Sequence, residues 1–323
     1  MKAQQMKRLL YFLFLSLMGS CALAENYPIR PITMIVPHAV AGTNDIVGRL
    51  IAPPLGEALG GSVLVENRPG AAGNIGTQSV SRAPKDGYTL LLTINSSHAI
   101  NPALYKNPGF DPLADFVFLS YIGATPYVLV TNPSSPYKTL ADVVAAAKKK
   151  PGEVAYGSGG SGTLNHLLGA MLSMSAGIDL LHIPYKGASP AINDVLGGQI
   201  PLAFASLPSV LGFIKAGKLH PIAISSNKRS ASAPEIPTMA ETYPDCVGEV
   251  WVGLFAPTGI NPSIAKKLQD SMSKAMQKTD LREKLLAQGL DLNPLPTTNL
   301  SNYLKEELNR WARIVKSSGA TVD

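Results

Sequence analysis

Ile32-Thr33-Met34-Ile35-Val36-Pro37-His38-Ala39-Val40-Ala41-Gly42-Thr43-Asn44-Asp45 passes from a largely apolar run, through a loop bearing proline and glycine, into a helical pattern. The run reads as a buried strand, and residues 45–59 as a helix, broken or bent at Pro53-Pro54. The same order recurs outward from this stretch. Strand 62–66, helix 73–82 and strand 89–94 complete one βαβαβ unit. Strands 117–121 and 127–130 and a helix over 140–149 lead to a second unit, with strand 154–156, helix 164–176, strand 180–184, helix 190–196 and strand 202–205. Strands 219–225 and 251–256 follow, then amphipathic helices over 263–278, 281–288 and 300–317. Such alternation predicts an α/β protein built on parallel sheets with helices on their faces. A late strand followed only by helices predicts that the chain returns to finish its first unit. The expected division is therefore 27–124 plus 252–323 against 125–251.

Lys2, Lys7 and Arg8, an apolar run over 9–18 and the small residues Ala22-Leu23-Ala24 have the form of a cleaved export leader over 1–24. The mature chain is expected to be periplasmic. Met18-Gly19-Ser20-Cys21 leaves lipoprotein anchoring at Cys21 as the alternative. No later apolar stretch reaches the length of about 20 residues that a membrane span needs. Removing the leader takes away three of the 28 basic residues and none of the 22 acidic ones, leaving a net charge of +3. That is too mild for a nucleic-acid footprint. With Cys21 in the leader, Cys246 stands alone and no internal disulfide can form.

Two loops leave a strand and open a helix: residues 37–45, and Gly157-Ser158-Gly159-Gly160-Ser161-Gly162-Thr163 followed by Leu164-Asn165-His166. A helix N-terminus offers unpaired N–H groups and the positive end of the dipole, so each loop is a candidate anion site. Read as structure alone, both are helix caps, with Thr43 and Thr163 as N-caps. Gly157, Gly159 and Gly162 also fit G-x-G-x-x-G, but Asp179 precedes the following strand instead of ending it, which is the wrong place for a ribose-binding acid. There is no G-x-S-x-G, Walker lysine motif or H-E-x-x-H, and the five histidines show no metal spacing. No catalytic residue, metal or cofactor is expected. His38 and His166 are the histidines placed to touch a ligand, and Asp45 is expected to cap loop amides, facing away from it.

Further segments carry a resemblance: 27–32 leading to Ile35-Val36-Pro37, 45–49, Glu66-Asn67-Arg68-Pro69-Gly70-Ala71-Ala72-Gly73-Asn74-Ile75-Gly76, 86–90, 156–162, His182-Ile183-Pro184-Tyr185-Lys186-Gly187, 236–238 and 251–257. In this order they resemble the substrate-binding receptors of tripartite tricarboxylate transporters, the TctC-like or Bug family, across essentially the whole mature chain. The resemblance implies a two-lobed clamshell of the periplasmic binding protein type (type II), each lobe a mostly parallel sheet flanked by helices. It also implies a small carboxylate held in the cleft and membrane permease subunits as partners of a monomeric receptor. Carried over, the ligand loops are His38 to Asn44, with His38, Ala39, Gly42, Thr43 and Asn44, and Ser158 to Thr163, with Ser158, Gly159, Ser161, Gly162 and Thr163.

Ser96 and Ser97, after the third strand, are expected on the far side of the cleft, and Ala205 and Ser206 at the end of the strand 202–205. Ala205 stands where many members carry Asp. The missing carboxylate argues against an amino-acid ligand and for a mono- or dicarboxylate or an aromatic acid. His38 replaces a common aromatic residue, and Ala41-Gly42 a common pair of glycines. Neither loop contains Arg or Lys, so backbone amides and hydroxyls are expected to hold the carboxylate. A sensor subunit shares the fold and site of a transport receptor; an exported enzyme would need a nucleophile and base in one cleft, which the chain does not offer.

Overall fold

A computed structural model of the chain describes residues 27–292, 295–318, 320 and 322. The leader and Cys21 lie outside the described residues. The chain opens with β1 (Ile32–Val36), α1 (Thr43–Leu59), β2 (Val63–Asn67), α2 (Asn74–Ser81) and β3 (Thr89–Ile94), followed by a π-helical turn (Ser96–Ile100) and the short α3 (Asn101–Leu104). It continues through β4 (Phe116–Thr131), α4 (Leu140–Lys149), β5 (Ala155–Ser158), α5 (Leu164–Ala176), β6 (Leu181–Pro184), α6 (Ala188–Leu196), β7 (Leu202–Ser206), α7 (Leu207–Lys215) and β8 (His220–Ile224). It ends with β9 (Glu249–Pro257), α8 (Pro262–Met276), α9 (Thr279–Ala287) and α10 (Leu300–Ser318).

β1 is central because all but Thr33 of its residues are buried, and it pairs in parallel with β2 and β3. Each fully buried Ile or Val contributes roughly 1.5–3 kcal/mol of apolar transfer energy. Helix α1 lies close on this sheet: a Cβ on Gly48 would come within 3.1 Å of Leu92 Cδ2. The strand order is β2-β1-β3-β9-β4-β7-β5-β6, with β8 also on β4. The outer pairings are parallel, while β9 and β4 enter antiparallel to their neighbours.

β4 and β9 join the halves. Residues 116–126 of β4 pair with β9, and residues 127–131 pair with β7 and β8. Sequence patterning splits this segment in two at Gly123 and Pro126, yet β4 is one strand. Pro126 stands at the handover between neighbours, where a missing N–H interrupts neither ladder. Gly123 is required by close approach, since a Cβ there would lie 2.6 Å from the Asp291 carbonyl oxygen. The product is a two-lobed clamshell. Helices α8 and α9 pack on α1, and α10 packs on the π-helical turn and α3 while also touching α5.

Of the break or bend expected at Pro53-Pro54, the break does not occur: helix α1 is continuous through both prolines. Pro53 is exposed and Pro54 half-buried, whereas Ile51, Ala52, Leu55 and Gly56 face the core. The lost N–H groups therefore sit toward the solvent flank, where water can satisfy the freed carbonyls.

Candidate functional site

The loop leaving β1 is held by its own polar groups. Ala41 adopts φ 63°, a left-handed conformation, and its N–H donates to Asp45 Oδ2 at 2.8 Å. Arg49 Nε donates to Asp45 Oδ1 at 3.0 Å. Burial alone would raise the Asp45 carboxyl, but the bonds from Arg49 and Ala41 outweigh it and hold it below the usual range. Asp45 thus caps a loop amide and is paired with a cation. Asn44 Nδ2 lies 3.0 Å from His38 Nδ1. Burial lowers His38 from 6.5 to about 4, so its ring is neutral at physiological pH.

The glycine-serine loop after β5 is braced in the same way. Ser158 Oγ lies 2.6 Å from His182 Nε2 and accepts the Gly160 N–H at 3.1 Å. The Gly162 N–H donates to His166 Nδ1 at 3.0 Å, and the His166 ring stacks on His182 with centroids 4.0 Å apart. Thr163 Oγ1 donates to the Gly160 carbonyl at 2.6 Å and makes a short contact with Asn165 Oδ1.

Four helices begin at one place. The N-cap residues of α1, α5, α6 and α7 are Gly42, Thr163, Gly187 and Ser206, and none makes a side-chain capping bond. All four line a single cavity of about 60 Å³ between the lobes. Among the described residues its wall contains no Asp, Glu, Lys or Arg, while Thr43, Asn44, Ser96, Asn165, Ser189 and Ser209 add hydroxyl and amide groups. Converging N-termini and neutral donors favour an anion, with no fixed countercharge. The lobes meet directly around it. Ser189 Oγ donates to the Val40 carbonyl and Ser209 Oγ to the Ala41 carbonyl, each at 3.2 Å, and the Leu164 N–H donates to Ser96 Oγ at 3.1 Å. A second cavity, of about 640 Å³, lies alongside and shares His38, Ala39, Gly159 and Gly187 with the first.

Of the residues singled out in the sequence, His38, Ala39, Gly42, Thr43, Asn44, Ser96, Gly159, Thr163 and Ser206 line the inner cavity, and Ser161 lines the outer one. Five others do not line either. Ser97 is buried and bonded to Thr93 Oγ1 at 2.6 Å, since the segment after β3 is a π-helical turn, not an open loop, and only Ser96 faces the cleft. Ser158 and His166 are used inside the loop as described. Gly162 faces the first lobe, where a Cβ would meet Leu104 at 2.8 Å. Ala205 is buried within β7, opposite Val128. The cap of α1 is Gly42 rather than Thr43.

Sequence reasoning missed Ile94, Tyr127, Asn165, Gly187, Ala188, Ser189 and Ser209. Gly187, Ala188 and Ser189 open α6 just as residues 42–44 open α1, and that rule applied to every strand-to-helix junction would have found them. Tyr127 sits at the β4 handover, which local patterning cannot reveal. Among the described residues no cluster of His, Cys, Asp and Glu could hold a metal ion, and no helix is long and apolar enough to cross a membrane.

Comparison with known proteins identifies the family and agrees with the fold. The profile of the tripartite tricarboxylate transporter family receptors (TctC) matches residues 47–320. BugT of Bordetella pertussis is 38% identical over 299 residues, covering 92% of both chains. An adipate-bound protein of R. palustris superposes with a TM-score of 0.87 at 30% identity, over 91% of this chain and 99% of that one. MatC from Rhodopseudomonas palustris with bound malate superposes with a TM-score of 0.84 at 27% identity, over 90% of this chain and 100% of that one. The family is one of solute receptors and not of enzymes. On its fold, its cleft and these matches, the chain belongs to the tripartite tricarboxylate transporter receptor (TctC, Bug) family.

Proposed function

We propose that this receptor, exported by its leader, captures a small organic acid in the inner cavity and delivers it to the membrane subunits of a tripartite tricarboxylate-type transporter. The observation that carries the reading is the convergence on one cavity of four helix N-termini whose N-cap residues make no side-chain capping bond, with no charged side chain among the described residues of its wall. A carboxylate oxygen accepts N–H bonds worth roughly 1.5–3 kcal/mol each, so three or four total roughly 4.5–12 kcal/mol, a range that brackets the roughly 8 kcal/mol of micromolar binding before ordering costs. Adipate and malate in the two similar structures are both carboxylates, which supports the same ligand class here. Residues 27–124 with 252–323 form one lobe and residues 125–251 the other in this reading, with β4 and β9 as the hinge. Closure then selects a population in which Ser189 and Ser209 reach the Val40 and Ala41 carbonyls.

The experiment is a thermal-shift and calorimetric screen of residues 25–323 against mono-, di- and tricarboxylates and aromatic acids, with amines, sugars and neutral amides alongside. A ligand at about 100 times its Kd adds about 2.7 kcal/mol to stability. Melting shifts confined to acids support the proposal; shifts with sugars or amines and none with any acid reject it.

A further inference from the structure

We propose that His166, stacked on His182, is a positioning residue for ligand capture: its neutral ring holds the Gly162 N–H and keeps the second-lobe loop in its binding form. This rests on the carboxylate-receptor reading above for what the loop holds, and it makes capture depend on pH.

The bonds of the loop give the first reason. His166 lies in the first turn of α5, four residues after Gly162, and its Nδ1 accepts the Gly162 N–H at 3.0 Å. A ring nitrogen that accepts carries no proton, so the neutral ring has its proton on Nε2. Ser158 Oγ contacts the Gly160 N–H at 3.1 Å, the Gly160 carbonyl at 3.2 Å and His182 Nε2 at 2.6 Å. A hydroxyl serves all three when it donates to the carbonyl and accepts from the amide and from a His182 Nε2–H. A further proton on His182 Nδ1 breaks none of these bonds. One on His166 Nδ1 sets two donors face to face, and Gly162 is released.

What Gly162 positions gives the second. It has φ 82° and faces the first lobe, where a Cβ would meet Leu104 at 2.8 Å. The next two residues act at the cleft: Thr163 lines the inner cavity, and the Leu164 N–H crosses to Ser96 Oγ. Freeing Gly162 therefore loosens one wall of the cavity and one bond between the lobes in the same step.

The surroundings of the ring give the third. The His166 and His182 centroids are 4.0 Å apart, and the Tyr156 ring stands 5.2 Å from His182 with its hydroxyl on the His166 carbonyl at 3.0 Å. These are the titratable groups that α5, β6 and β5 bring together; β7 carries none. Helix α10 also touches α5, but its Glu307 is bonded to Trp251 and Trp311, and its Arg310 to the Val247 carbonyl. Among the described residues neither histidine forms an ion pair. Burial holds His166 below its usual 6.5; burial, aided by His166, takes His182 to about 4. His166 is thus the first of the pair to charge as the pH falls.

Amide exchange read by NMR tests this on ligand-free residues 25–323. The wild type is compared with His166→Asn, which keeps an acceptor oxygen but does not titrate, and with His166→Ala. Between pH 7 and pH 4.5 the Gly162 amide is expected to lose protection about tenfold in the wild type and to keep it in His166→Asn. In His166→Ala it should lack protection at both, while the Leu91 and Leu92 amides of β3 stay protected throughout. Calorimetry with adipate and with malate then compares the wild type with His166→Asn, a ratio from which ionisation of the acids cancels. That ratio should shift toward the asparagine variant by about fivefold between pH 7 and pH 4.5. Gly162 protection independent of pH in the wild type, or equal affinity profiles in the two proteins, overturns the proposal. So does a wild-type affinity that rises relative to His166→Asn as the pH falls. If a variant unfolds, as exchange at Leu91 and Leu92 would show, the wild-type titration decides alone. Failure of both acids, together with the wider acid screen, rejects the carboxylate reading and leaves the exchange result to decide the role of His166.

Discussion

Trp251 and Trp311 donate their indole N–H groups to the same oxygen of Glu307, at 2.8 and 2.9 Å. Both rings are buried, and Trp251 lies on β9 while Trp311 lies on α10. One carboxylate thus fastens the last helix to a strand that joins the lobes. Glu307→Ala would leave two buried donors without an acceptor, at about 1–3 kcal/mol each, so a loss of about 2–6 kcal/mol is expected in urea unfolding. Glu307→Gln keeps an acceptor oxygen and should lose about half as much or less. Equal losses in the two variants would count against the shared bond.

Ser189 and Ser209 act across the cleft, on the carbonyls of Val40 and Ala41. Each bond contributes about 0.5–1.5 kcal/mol, and both exist only while the lobes are together. Ser189→Ala and Ser209→Ala should each weaken binding of any ligand by roughly threefold to tenfold, mostly through faster dissociation in stopped-flow measurements. Effects that reorder a ligand series would instead mean direct contact with the ligand.

Thr43 and Thr163 should behave differently although both line the inner cavity. The Thr163 hydroxyl serves the Gly160 carbonyl and Asn165, so Thr163→Val should lower both stability and affinity by about 1 kcal/mol. The Thr43 hydroxyl has no hydrogen-bond partner among the described residues, which leaves it for ligand or water. Thr43→Val should lower affinity by about 1 kcal/mol and leave the urea midpoint nearly unchanged. Parallel calorimetry and unfolding of the two variants will show whether they part in this way.

Three histidines make the fold sensitive to acid. Burial lowers His98 from 6.5 to about 3, and His38 from 6.5 to about 4; burial, aided by His166, lowers His182 from 6.5 to about 4. Below about 6.5 the unfolded chain takes up protons that the folded chain refuses. Their contribution is therefore complete above about pH 6.5 and falls as the pH drops toward the folded values of about 3 to 4. The slope approaches about 1.4 kcal/mol per pH unit for each histidine in mid-window. His98 packs against Phe110, Phe116 and Phe255. His98→Phe should make the stability profile between pH 5 and 6 shallower by about one proton, and an unaltered profile in urea titrations would refute this account.

Much of the fold was legible because it is local. Strand 89–94 and helix 164–176 match β3 and α5 residue for residue, as continuous apolar runs and helical spacing specify them without tertiary help. What escaped depends on partners distant in the chain. The continuity of β4 across Gly123 is set by the approach of Asp291, and the π-helical turn at 96–100 by packing against α10. The same division runs through the site. Loops 37–45 and 157–163 announce themselves by glycine beside a helix start, but which face each residue turns to the cleft is decided by their internal bonds. That is why Ser158 and His166 stand behind the wall they were expected to form.

Because β4 spans 16 residues and serves both sheets, neither half of the molecule owns it. A gene fragment cut at the lobe boundary would encode half of each crossing strand and expose an unpaired edge prone to aggregation. Such a chain cannot be diversified by exchanging whole lobes between relatives. The loops at the helix starts can vary without touching the crossing strands, so the connection between the halves is inherited intact while the chamber beside it is free to change.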